Sequence, residues 1–202
     1  MIQTNLKSLN IADFIAQYGN QNQYELIDGE LIDLEPTGLH EQVIGFITRK
    51  FHVEIDRLNL PYFIPHSCLI QISDNTAFRP DIIILDQTQL IHELLWQQQA
   101  IIISRLAIKL IVEVVSTNWQ NDYARKSEDY ALLGVPEYWI TDYQGLGGRD
   151  YIGKPKQPTI TTCHLADDVY EKRLFRQGET LVSKIFPDLH LQTESIFAAE
   201  KL

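Results

Sequence analysis

Two carboxylates occupy places where the chain offers them little water. Glu113 lies inside Leu-Ile-Val-Glu-Val-Val, residues 110–115, with apolar residues on both sides, so neither face of that strand is plainly solvated. A buried carboxylate without a partner is costly, and it persists when paired, protonated or bound to a cation. Asp81 opens a second apolar run, Asp-Ile-Ile-Ile-Leu, directly after Pro80, whose missing N–H suits the beginning or edge of a strand. Two such strands lying side by side bring both acids to one end, and Mg2+ or Mn2+ takes oxygen donors of that kind. The competing readings are a Lys or Arg partner for Glu113 and a strand-start role for Asp81. The pair taken together points to a site.

Lys126 adds a third group. On a helical wheel it shares a face with Tyr123, Tyr130 and Leu133, the face a helix there buries, whereas Arg125 points away with Glu128 and Leu132. A lysine on a buried face either extends to the surface or reaches a carboxylate. Beside a metal-bound water it could orient that water or stabilise charge on a phosphate oxygen; a plain salt bridge is the alternative. His40 heads an apolar helical stripe, where a histidine is ordinarily a satisfied core residue, but it could assist if it faces the same pocket. Glu30, Asp33 and Glu35 are further acids in a polar turn region and read as solvated, and Tyr138 and Trp139 read as core and rim packing.

The elements that must position these residues follow from periodicity. Residues 8–18 carry Leu9, Ala12, Ile15 and Ala16 at helical spacing, a short leading helix. Tyr-Glu-Leu-Ile-Asp-Gly-Glu-Leu-Ile-Asp-Leu, residues 24–34, predicts a hairpin turning at Asp28-Gly29. A helix is expected over 40–58 from Ile44, Ile47, Phe51, Ile55 and Leu58. Strands are expected at 62–65, 67–73, 78–86, 106–115 and 137–142, with a Gln-rich loop and a possible short helix over 86–105. Residues 122–133 form a helix with Asp122 at its positive end and Gly134 as its stop. The strand-helix-strand run 106–142 is a crossover unit, expected right-handed. Beyond Gly145 the pattern changes to short hairpins around 160–165, 168–176 and 180–186, with a last helical turn near 195–199.

The 202 residues fit one α/β domain, with a core over 24–142 and a β-rich extension over 143–202. Apolar and charged fractions of 45% and 22% are those of a globular chain, and no apolar run is long enough for a membrane helix. With no export signal, the expected compartment is the cytoplasm and Cys68 and Cys163 are expected as reduced thiols. The net charge of −10 argues against tight non-specific DNA binding, since phosphate neutralisation needs a basic face. An acidic site still handles phosphodiesters when a metal supplies the positive charge.

The ordered motifs YELIDGELIDLEP, HEQVIG, RPDIIILD, LIVEVVS, the helix with Asp122 and Lys126, and GVPEYWITDY resemble the Uma-type family, restriction-endonuclease-like proteins of the PD-(D/E)xK superfamily. The similarity spans about 24–142, with weaker echoes at DYIGKPKQP and FPDL. It implies a mixed β-sheet flanked by helices and two acids with a lysine around one or two Mg2+ ions. By position the motif acids are Asp81 and Glu113, and in the leading reading the Val114 carbonyl is expected to complete the metal shell. The motif lysine position holds Val115, and Lys126 is the substitute from the following helix. The implied activity is endonucleolytic hydrolysis of DNA, and the same resemblance implies a homodimer. The alternatives are an inactive relative serving as an interaction or regulatory module, and a metal-dependent hydrolase with another substrate.

Overall fold

The computed structural model describes residues 8–34 and 36–201. Helix α1, Ile11–Tyr18, begins where the Asn10 side chain accepts the Asp13 N–H, and it buries Phe14. Strands β1, Tyr24–Ile27, and β2, Glu30–Asp33, form the expected hairpin. Its turn residues Asp28 and Gly29 have φ of 51° and 82°, the left-handed pair that matches strand twist. Helix α2, Gly38–Leu58, is capped by Thr37 and ended by left-handed Asn59. Val43, Ile47, Phe51 and Ile55, four residues apart, form its buried stripe, each side chain worth about 2 kcal/mol of burial.

The next strands are β3, Tyr62–Phe63; β4, Leu69–Ser73; β5, Thr76–Phe78; β6, Ile82–Asp86; β7, Ile101–Ile102; and β8, Ile108–Val114. Helix α3, Lys126–Leu133, follows a π-helical turn over Asn121–Arg125 and stops at Gly134, whose φ is 86°. Then come β9, Glu137–Asp142; α4, Arg149–Ile152; the hairpin of β10, Thr159–Ala166, and β11, Val169–Phe175; and α5, Thr193–Phe197. Two mixed sheets result, ordered β2-β1-β5-β4-β7 and β11-β10-β9-β8-β6-β3.

In the larger sheet β6 and β8 are antiparallel, while β8 and β9 are parallel and joined through α3. One face packs on α2 and the C-terminal residues Phe186, Leu189, Leu191 and Ile196. The other meets α3 and the smaller sheet through Ile70, Phe78, Ile111, Tyr130 and Tyr138. Tyr138 and Trp139 are both fully buried, so neither is a rim residue. Cys68 and Cys163 are free and buried, and burial pushes both thiols up to about 12, away from nucleophilic use. Among the described residues no helix is long and apolar enough to cross a membrane.

Several expected boundaries differ. The strand expected over 78–86 is two strands in different sheets, divided at Arg79-Pro80-Asp81, because proline cannot continue a ladder as a donor. The 86–105 segment contains a 3-10 turn, Leu90–His92, and also β7, a two-residue strand parallel to β4 and too short to show a period. Residues 180–186 alternate like a strand but make only an isolated bridge, Thr180 to Gln192. The β10-β11 hairpin adds directly to the main sheet at β9.

Candidate active site

The open end of the β6-β8 pair is where the candidate residues meet. The antiparallel register sets Ile82 against Val112, and one further step sets Asp81 opposite Glu113. Asp81 Oδ2 accepts the Val114 N–H at 2.7 Å, so the first acid is tied to the strand that carries the second. Alternation along β8 turns Glu113 toward the Ile111 and Tyr138 layer and leaves the Val114 side chain in the layer of α2. His40, in the first turn of α2, brings Nε2 to 2.8 Å from the Val114 carbonyl oxygen and 3.3 Å from Asp81 Oδ2.

Lys126 comes from the opposite side. The π turn delivers Asp122, Tyr123 and Lys126 to the buried face of the helix, and the Lys126 Nζ lies 3.1 Å from Glu113 Oε1 and 3.0 Å from Glu25 Oε1. Asp122 Oδ1 is 3.9 Å from the same ammonium, and the Tyr130 hydroxyl donates to Glu113 Oε1 at 2.8 Å. Glu25 Oε1 also accepts the Arg79 N–H at 2.7 Å. Arg79 itself is committed to scaffolding, with its guanidinium donating to the Tyr24 and Gly19 carbonyls. Arg125 points outward, as its wheel position predicts, and ties Asp28 of the hairpin turn to Asp129 of α3. Glu25, His40, Asp81, Glu113, Val114, Asp122 and Lys126 all line one cleft of about 1140 Å³.

Charges in this cleft are crowded. Burial lifts the Glu113 carboxyl well above the usual range; Lys126 opposes that, while Asp81, Asp122 and Glu25 reinforce it. Burial likewise raises Glu25 against the pull of Lys126. It pushes Asp122 up to about 7, again against Lys126. For Lys126 burial works against the charge, but Glu113, Glu25, Asp122 and Asp81 outweigh it, so the ammonium stays protonated. Burial of His40 is similarly outweighed by its hydrogen bond to Asp81 and by the Asp81 charge, which hold the imidazole above its ordinary value. Four carboxylates thus face one ammonium and one imidazole.

That excess of negative charge, with the Asp81 carboxylate and the Val114 carbonyl turned to the same point, fits a hard divalent cation in donor kind. Asp81, Glu113 and the Val114 carbonyl offer oxygens of the kind such an ion takes. Among the described residues no three His, Cys, Asp or Glu side chains are already drawn together as a metal cluster. Two of the candidate oxygens are instead bridged by His40 Nε2.

The family model described as "Putative restriction endonuclease", Uma2, matches residues 11–194. This chain belongs to the Uma2 family. The solved structure of a "putative nuclease belonging to DUF820" from Anabaena variabilis shares its fold, with a TM-score of 0.67 at 16% identity. The match covers 95% of this chain and 99% of that one. No curated protein matches the sequence. The Uma2 match takes in α1 and reaches α5, so it embraces the C-terminal hairpin as well as the motif-bearing strands.

Sequence reasoning missed Glu25 and the buried part played by Asp122. Glu25 alternates with Tyr24 and Leu26 and so passes for a solvent-facing strand residue. Its own face includes Ile27, which packs in the central layer, and a carboxylate sharing a face with an isoleucine was the available signal. Asp122 reads as a helix-start acid until the π turn rotates it inward. Glu30 is exposed, as expected, and Asp33 lines the cleft. Glu35 lies outside the described residues.

Proposed function

We propose that this protein is a metal-dependent endonuclease that hydrolyses DNA phosphodiester bonds in the β6-β8 cleft. The observation that carries the reading is the meeting of Asp81, the Val114 carbonyl, Glu113 and the protonated Lys126 in one cleft, from elements far apart in sequence. In this reading Asp81, Glu113 and Val114 hold Mg2+ or Mn2+. The ion supplies Lewis acidity, which makes a water acidic enough to attack and offsets charge on the phosphoryl oxygens.

The protein groups divide the remaining work. Lys126, kept charged by its acids, donates hydrogen bonds to a water or to a phosphate oxygen and does not accept a proton. Tyr130 fixes the Glu113 carboxylate through its hydroxyl, and Glu25 holds the Lys126 ammonium beside Glu113. His40 hydrogen-bonds Asp81 and the Val114 carbonyl, so it steers the donors on the other flank. Cleft cations are few, since Arg79 is spent on backbone carbonyls, which fits a substrate gripped through the metal more than through a basic groove.

A second reading, a binding module that keeps the fold, is favoured by the Lys126 ammonium already being paired with Glu25 and Glu113. Plasmid DNA incubated with the protein and Mg2+ or Mn2+ separates the two. Cleavage that is lost in Asp81→Ala, Glu113→Ala and Lys126→Ala supports the enzyme. Retention of DNA without cleavage under either metal supports the module.

A further inference from the structure

The Lys126 ammonium is held more like a bound ion than like a surface lysine. Its side chain is 5% exposed, and carboxylate oxygens approach Nζ from three separate elements: Glu25 on β1 at 3.0 Å, Glu113 on β8 at 3.1 Å and Asp122 in the π turn at 3.9 Å. The Phe78 ring covers another side, its centroid 5.6 Å away. Paired-ion phosphodiesterase sites place their metals about 3.5–4 Å apart and share carboxylates between them. Here one carboxylate, Glu113, lies between two unlike halves. On one side are Asp81 and the Val114 carbonyl; on the other are Glu25 and Asp122, already gathered around a cation belonging to the chain.

We propose that the Lys126 ammonium fills the second cation position of this cleft, so that the folded protein takes one divalent ion per chain, on the Asp81 and Val114 side. This rests on the metal-dependent reading above. A second divalent ion would need the oxygens of Glu25 and Asp122, and reaching them means expelling a protonated lysine that three acids and an aromatic face hold in place. Anchoring reinforces the exclusion. Lys126 opens α3 immediately after the π turn, and Glu25 is fixed from behind by the Arg79 N–H. The displacement of the motif lysine to the helix then changes the site's ion count rather than merely relocating a donor.

Equilibrium dialysis of the full chain against Mn2+, with bound ion counted, tests this. One Mn2+ per chain is expected. Two per chain overturn the inference while leaving the metal reading intact, and none removes the metal reading and the inference with it. Lys126→Met keeps the bulk of the side chain and deletes the charge. It is expected to bind two Mn2+ and to show the broadened paramagnetic resonance of neighbouring ions. A folded Lys126→Met chain that still binds one overturns the proposal. Should that variant not fold, Lys126→Gln deletes the charge while leaving Glu25, Glu113 and Asp122 in place. Its count is read the same way.

Discussion

Glu113 and Glu137 are both buried, at 2% and 0% exposure, on the adjacent parallel strands β8 and β9, yet their partners differ in kind. Glu137 accepts the Trp139 indole N–H at 2.6 Å, the Lys184 N–H at 2.7 Å and the Ile185 N–H at 3.0 Å, with His164 Nε2 at 3.5 Å. Most of these donors are dipoles fixed by backbone and core packing, and together they staple the C-terminal segment to β9. Glu113, at the other end of the strand pair, meets an ammonium, a phenol and a crowd of other acids that line an open cleft. Burial alone does not mark a functional carboxylate. What sets Glu113 apart is that the acids around it outnumber its ammonium partner, so charge is left over.

The largest effect that could break this comparison is on catalysis. Glu113→Gln is expected to lower DNA cleavage by about 1000-fold, some 4 kcal/mol of transition-state stabilisation, in a plasmid-nicking assay. The metal-free variant should melt no lower than wild type, since one crowded carboxylate is gone. A fall of many degrees would place Glu113 with Glu137 as a structural acid. Next comes Glu137→Gln, which weakens several charge-assisted hydrogen bonds and is expected to cost about 2–4 kcal/mol in urea unfolding. Its Mn2+ affinity should not change, and undiminished stability would refute the staple.

The pH dependence expected from the cleft is smaller. Glu25, Glu113 and Asp122 have raised values in the folded chain, so at intermediate pH the folded state carries protons the unfolded state has lost. Stability from Asp122 is therefore lost as pH rises from 3.8 to about 7. His40 acts in the same direction, its contribution intact below 6.5 and lost as pH passes its raised value. The metal-free protein should melt at falling temperatures between pH 5 and 8. Glu113→Gln should reduce that slope, and a flat wild-type profile would count against the crowded cleft.

Much of the site was legible because buried charge leaves a trace in sequence. Asp81 before an isoleucine run, Glu113 between valines, Lys126 among tyrosines and His40 on an apolar stripe all conflict with their surroundings, and all four line the same cleft. The helix α2 and the Asp28-Gly29 hairpin were equally readable, from a four-residue stripe and a turn pair suited to positive φ. What escaped depends on contacts between distant segments. Nothing local marks the parallel pairing of Ile101–Ile102 with β4 or the extra residue per turn over Asn121–Arg125. The alternation of residues 180–186 misleads because no neighbouring strand is there to receive it.

Arg79, Pro80 and Asp81 pass from the smaller sheet to the larger in three residues, and both outer members are tied down on arrival. The Arg79 N–H goes to Glu25 and the Asp81 carboxylate to the Val114 N–H. No slack exists between these two attachments. A single inserted residue would throw the halves of the cleft out of step. Variation at this crossing is therefore restricted to exchanging side chains on a connection of fixed length.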